Sequence, residues 1–292
     1  NHSESVERAE DLLRQMEELH HRGTAATTTP MPENSITSPQ SSKAITSTMA
    51  KQPKQASNNN NKKDDRITPN TICFNAVLHA YAQKRQRRAA QKAEELLNRM
   101  EGLSETQQYY GQVNPDRISY ASAITAWSRL GTVEGAQRAE SIFLRMMNRH
   151  NRSHLLLKKE NLRPDIWIVN AVMQAWIASS DDSMAERNER ILNTVLTLKE
   201  KDNNTTTDKE YDEMIDQQVF QTVIYSWCQS GESHPNEFGS RAFAILEQMK
   251  TRGYKPTSSV FAWVLKALET QQRTQQQQKK KQPPKDYLDV TG

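Results

Sequence analysis

Few residues of this 292-residue chain are placed to do covalent chemistry. His150 and His154 have the spacing of two metal ligands on one helical turn, but no third ligand accompanies them. Two cysteines, Cys73 and Cys228, cannot build a disulfide framework or a paired-cysteine zinc site. No His-Glu-x-x-His, phosphate loop or nucleophile elbow occurs. The cluster Lys84-Arg85-Gln86-Arg87-Arg88 could touch phosphate or simply face solvent. A more regular set is acidic: Asp116 and Asp165 each follow a proline, and Asp216 keeps the same phase without one. Each is placed to cap a following helix, and a cap at a helix mouth can also face a ligand. The chain is therefore expected to bind rather than catalyse, with no cofactor, metal or small-molecule substrate.

The elements that position these residues repeat. One, helix A, carries apolar residues at +3, +4 and +7 from its first: Phe74, Val77, Leu78, Tyr81, then Tyr120, Ala123, Ile124, Trp127. It returns as Val169, Val172, Met173, Trp176, as Phe220, Val223, Ile224, Trp227, and as Phe261, Val264, Leu265, Leu268. This spacing puts each set on one helical face and predicts a core stripe. A second element, helix B, runs Lys92-Ala93-Glu94-Glu95-Leu96-Leu97-Asn98-Arg99-Met100. It is matched by Arg138 to Met146, Arg187 to Val195 and Arg241 to Met249, with an orphan copy from Arg8 to Met16. The distance from Asn75 to Ala93 recurs from Ala121 to Ala139 and from Asn170 to Asn188. Turns at Pro69-Asn70, Pro115-Asp116, Pro164-Asp165 and Pro256-Thr257 separate the hairpins. Successive copies are 46, 49, 51 and 41 residues apart, counted at Asn75, Ala121, Asn170, Gln221 and Ala262. The surplus falls between helix B and the next helix A.

Composition sets the limits. The hydrophobic fraction of 35% and mean hydropathy of −0.87 are low for a globular chain. Residues 24–66 and 270–292 are Thr, Ser, Asn, Gln and Lys tracts, expected to be a disordered linker and tail. They carry six basic against three acidic residues and five against two; the remainder is near neutral despite the net charge of +4. No apolar run is long enough for a membrane span, and no membrane partner is expected. Opening at Asn1, the chain is expected to be a fragment or a processed product, its own targeting segment not visible.

With Phe74-Asn75, Ala93, Met100, Pro115-Asp116 and the run Met249, Gly253, Pro256 in phase, the pattern resembles the pentatricopeptide repeat family over residues 1–23 and 67–269. The resemblance implies an all-α, right-handed solenoid of helical hairpins: an incomplete repeat in 1–23, repeats at about 71–116, 117–165, 166–216 and 217–257, and a partial one at 258–269. It implies single-stranded RNA as partner, one base per repeat, in a mitochondrion or plastid. Base edges would meet Asn75 with Asp116, Ala121 with Asp165, Asn170 with Asp216, and Gln221 with Thr257. Ile72, Ile118, Trp167 and Gln218 would wedge between bases, and Lys84, Arg85, Arg87 and Arg88 would touch phosphate. The Asn–Asp pairs imply pyrimidines. Two other readings stay open: a protein-binding scaffold, as in tetratricopeptide relatives, or the specificity arm of a larger RNA-processing enzyme.

Overall fold

The computed structural model describes residues 2–25, 69–105, 113–155, 162–202 and 215–281, and the described residues form ten α-helices and no strand. The chain divides into two units, Asn1–Pro69 and Asn70–Gly292. The first holds α1 (His2–Ala25), which contains the orphan helix-B stretch. Apart from its first two residues, the expected linker 24–66 lies outside the described residues.

In the second unit, helix A becomes α2 (Thr71–Ala82), α4 (Arg117–Ser128), α6 (Ile166–Ser179) and α8 (Gln217–Gln229). Helix B becomes α3 (Arg87–Glu105), α5 (Val133–Leu155), α7 (Met184–Asp202) and α9 (Phe238–Thr251), and α10 (Ser258–Lys281) closes the series. Among described residues, helices touch only those one or two places away in this order. The A helices, at 12 to 14 residues, are too short to be stable alone in water. Burial holds them. Phe74, Leu78, Tyr120, Ile124, Trp127, Val169, Trp176, Phe220 and Trp227 are all buried, as the stripes predict. Each such side chain contributes about 1.5–3 kcal/mol. The B helices meet them through small residues and a Leu/Ile/Met stripe; in α3 these are Ala89, Ala90, Ala93, Leu96, Leu97 and Met100.

A polar ladder, invisible to hydrophobic periodicity, stitches consecutive hairpins. The third residue of each helix-B motif (Glu94, Glu140, Glu189) pairs with the first residue of the next (Arg138, Arg187, Arg241) at 3.6, 3.5 and 3.4 Å. Those arginines lie over the intervening tryptophans, Trp127, Trp176 and Trp227, at 5.9, 5.1 and 5.8 Å. Trp176 Nε1 donates to Glu140 at 3.0 Å and Trp227 Nε1 to Glu189 at 2.8 Å, whereas Trp127 Nε1 is buried without a partner. The Arg-x-Glu pattern in the helix-B copies is the sequence signal for this ladder.

The last helix departs from expectation in two ways. Its buried face is Val260, Val264, Ala267 and Gln271, while Phe261 and Leu265 are exposed. The stripe is displaced because α10 touches only α8 and α9, with no following hairpin to cover its other side. Nor does the ordered chain stop at 269: the expected disordered tail is helical from Thr270 to Lys281, and only 282–292 lie outside the described residues. The reason is Gln271. Its Oε1 accepts from the N–H groups of Gly239 (2.7 Å) and Ser240 (3.0 Å), and its Nε2 donates to the Asn236 carbonyl at 2.6 Å. Helix α9 has no side-chain cap of its own at Glu237, so Gln271 supplies one from α10. Gly239 permits the approach, because a Cβ there would lie 2.9 Å from the Ala267 backbone.

Candidate functional site

The turns deliver the same group to the start of every inner A helix. Asn70, Asp116, Asp165 and Asp216 each sit in extended backbone, and their side chains accept from the N–H three residues on: Cys73 (3.1 Å), Ser119 (2.9 Å), Ile168 (3.0 Å) and Val219 (3.0 Å). Each satisfies one donor that the helix cannot. The capping reading of Asp116, Asp165 and Asp216 thus holds in all three places, despite the long segments that precede them.

Two and five residues beyond each cap lie the remaining expected contacts, one helical turn apart on the same face. Ile72, Ile118 and Trp167 are 76%, 58% and 80% exposed, and Gln218 is exposed as well. Large apolar groups left in water at the same point of successive helices are not core residues. Beside them, Asn75, Ala121, Asn170 and Gln221 are half-buried.

One expected pair meets. Asn75 Nδ2 donates to both carboxylate oxygens of Asp116, at 3.0 and 3.2 Å, across 41 residues of sequence. Ser119, which the sequence reasoning missed, completes the cluster. Its hydroxyl lies 2.6 Å from Asn75 Oδ1 and 3.0 Å from Asp116 Oδ1, and it closes a capping box with Asp116. The signal was present as Asp116-x-x-Ser119. The result is a fixed amide whose orientation is set by its neighbours rather than by solvent.

The other pairs are not joined by hydrogen bonds in the structure. Asn170 Oδ1 is buried with no partner; the residue matching Ser119 is Val219, which has no hydroxyl to donate. Gln221 Nε2 is likewise buried and unbonded, while Thr257 is exposed, its carbonyl accepting from Val260 and Phe261. Ala121 offers no polar group, and Asp165 faces the Arg117 guanidinium at 3.7 Å.

The basic cluster sits elsewhere. It follows the C-terminus of α2, about 15 Å along the helix from Ile72 at 1.5 Å per residue. Arg87 is engaged in a two-pronged pair with Glu134 of α5, at 2.7 and 2.8 Å. That pairing raises the pKa of the arginine and holds Glu134 below the usual carboxylate range. As a phosphate contact Arg87 is therefore already committed to a carboxylate; Arg85 and Arg88 are exposed. Among the described residues no three His, Cys, Asp or Glu side chains converge on a metal-sized site, and no helix is long and apolar enough to cross a membrane.

Set against protein-family models and against curated proteins, the sequence finds no match to either.

Proposed function

We propose that this chain is a right-handed α-solenoid of pentatricopeptide type that binds single-stranded RNA along the face formed by α2, α4, α6 and α8. It acts as a binding module in the RNA processing, stability or translation of a mitochondrion or plastid, without catalysing a step itself. The observation that carries this reading is the Asn75–Asp116 contact at 3.0 Å, made between successive A helices and flanked by the exposed Ile72 and Ile118. An amide held in this way presents a directed donor and acceptor to a base edge, and the flanking side chains offer apolar surface to base faces. The unpartnered Asn170 Oδ1 and Gln221 Nε2 fit groups whose partner arrives with a ligand. Packing restricted to neighbouring helices suits a solenoid, in which each unit contacts only the next.

Read by position, the array prefers pyrimidine, any base, pyrimidine, any base, with its N-terminus towards the RNA 5′ end. The test is selection of the full chain against a randomised single-stranded RNA pool at several salt concentrations. Enrichment of pyrimidines two nucleotides apart, lost in the Asn75→Ala/Asn170→Ala double variant, is the expected result. Each lost contact should weaken binding roughly tenfold, about 1.4 kcal/mol. Absence of RNA retention even at low salt, where phosphate contacts are strongest, would reject RNA and turn the reading to a protein-binding scaffold.

A further inference from the structure

The two ends of the chain expose opposite halves of one hairpin. Inside the second unit, α4 is packed by α2, α3, α5 and α6, and its Tyr120, Ile124 and Trp127 are fully buried. Helix α10 has only α8 and α9. Its residues in the same register, counted from the turn, are Phe261, Leu265 and Leu268. Phe261 is exposed, Leu265 is 61% exposed and Leu268 is half-buried. Phe243 on the adjoining α9 is exposed too, at the place where earlier B helices carry Glu94, Glu140 and Glu189. A terminal helix normally turns a polar face outward to stop association. This one presents apolar surface.

Helix α1 is the converse: a helix-B motif with no helix A before it among the residues of this chain. Leu12 matches Leu96, Ile142, Ile191 and Ile245, all buried in α3, α5, α7 and α9, where each follows its own A helix. In α1, Leu12 is 60% exposed and Leu19 is exposed as well. The charges of the two helices are also opposed. The sequence of α1 holds six acidic and three basic residues, that of α10 one acidic and five basic.

We propose that α1 of a second copy docks antiparallel on the Phe261–Leu265–Leu268 face of α10 and completes a hairpin there, so that the protein associates head to tail. The interface is heterologous: each copy keeps one free α1 and one free α10, and the assembly extends rather than closing at two. It rests on helix register, exposure and charge, and does not depend on RNA binding.

The test is sedimentation of the full chain over a range of concentrations, with Leu12→Glu and Leu265→Glu as blocking variants. Both positions are exposed, so the variants should keep the circular-dichroism helix signal of the wild type. The wild type should rise in mass from one copy to two and beyond, less so at high salt. Each variant alone should stay monomeric. An equimolar mixture of the two should form a dimer and stop there, because the intact α1 of one fits the intact α10 of the other. The milder Leu12→Ala and Leu265→Ala changes should each weaken association roughly tenfold. A wild type that remains monomeric overturns the proposal. So does association that survives Leu12→Glu, which would mean that α10 meets another α10, or a mixture of blocking variants that fails to dimerise.

Discussion

Replacing Glu140 by Ala tests the polar ladder most sharply, because three hairpins supply their own controls. Glu140 is 5% exposed and accepts the buried Trp176 Nε1–H at 3.0 Å. A hydrogen bond to a charged acceptor contributes about 1.5–3 kcal/mol, and its loss leaves a buried donor unsatisfied. The second partner, Arg187 at 3.5 Å, keeps a third of its side chain in water, so losing that pair adds little. The expected cost of Glu140→Ala is therefore about 2–3 kcal/mol. Glu189→Ala breaks the same bond to Trp227 in a wetter place, Glu189 being 18% exposed, and should cost about 1–2 kcal/mol. Glu94→Ala should cost under about 0.5 kcal/mol, since Trp127 Nε1 has no partner to lose and only the 3.6 Å pair with Arg138 goes. Thermal unfolding followed by circular dichroism reads the order directly. At roughly 2–4 °C per kcal/mol for a chain of this size, Glu140→Ala should lower Tm by about 4–12 °C and Glu94→Ala by less than about 2 °C. Equal losses at all three positions would refute the reasoning, for they would mean that these glutamates matter for helix B and not for the tryptophan behind them.

Three further outcomes follow from particular contacts. Asp216→Ala removes one N-cap and should cost about 1 kcal/mol by urea unfolding, while Asp116→Ala should cost more, because Asn75 and Ser119 lose their acceptor as well. Gln271→Ala withdraws the acceptor from the Gly239 and Ser240 amides, so these two should exchange hydrogen at least roughly tenfold faster than in the wild type, with α2 to α7 unaffected. Burial pushes the Cys228 thiol up to about 12, so at pH 8 it is almost wholly the unreactive neutral form. Alkylation should spare Cys228 in the native protein and proceed once urea unfolds α8; rapid native labelling would contradict that burial.

Much of this architecture was written in local pattern. Stripes such as Phe74, Val77, Leu78 and Tyr81 specify both a helix and the face it must bury, because side-chain direction is set by 3.6-residue geometry whatever the neighbours are. The caps at Asp116, Asp165 and Asp216 were legible for a similar reason: a short acceptor bonds an N–H only three residues away. Exposure of Ile72, Ile118 and Trp167 agrees with positions that fall outside every stripe.

What needed tertiary structure were the events between segments distant in sequence. By spacing, Asn75 and Asn170 looked equivalent, each with an aspartate waiting at the next turn. Yet only Asn75 is hydrogen-bonded to its carboxylate, since Ser119 stands where the later copy has Val219. Arg87 looked like one member of a basic cluster until folding set Glu134 against it. The stripe of the last helix depends on which neighbours exist, and α10 has them on one side alone. Its Gln-rich extension, polar by composition, is ordered because α9 begins without a cap and Gln271 lies within reach of the bare N–H groups. Composition and periodicity determine which surfaces a segment must bury. Which partner buries them, and which polar group is left over, is decided only when the hairpins come together, because those distances are set by packing and not by spacing along the chain.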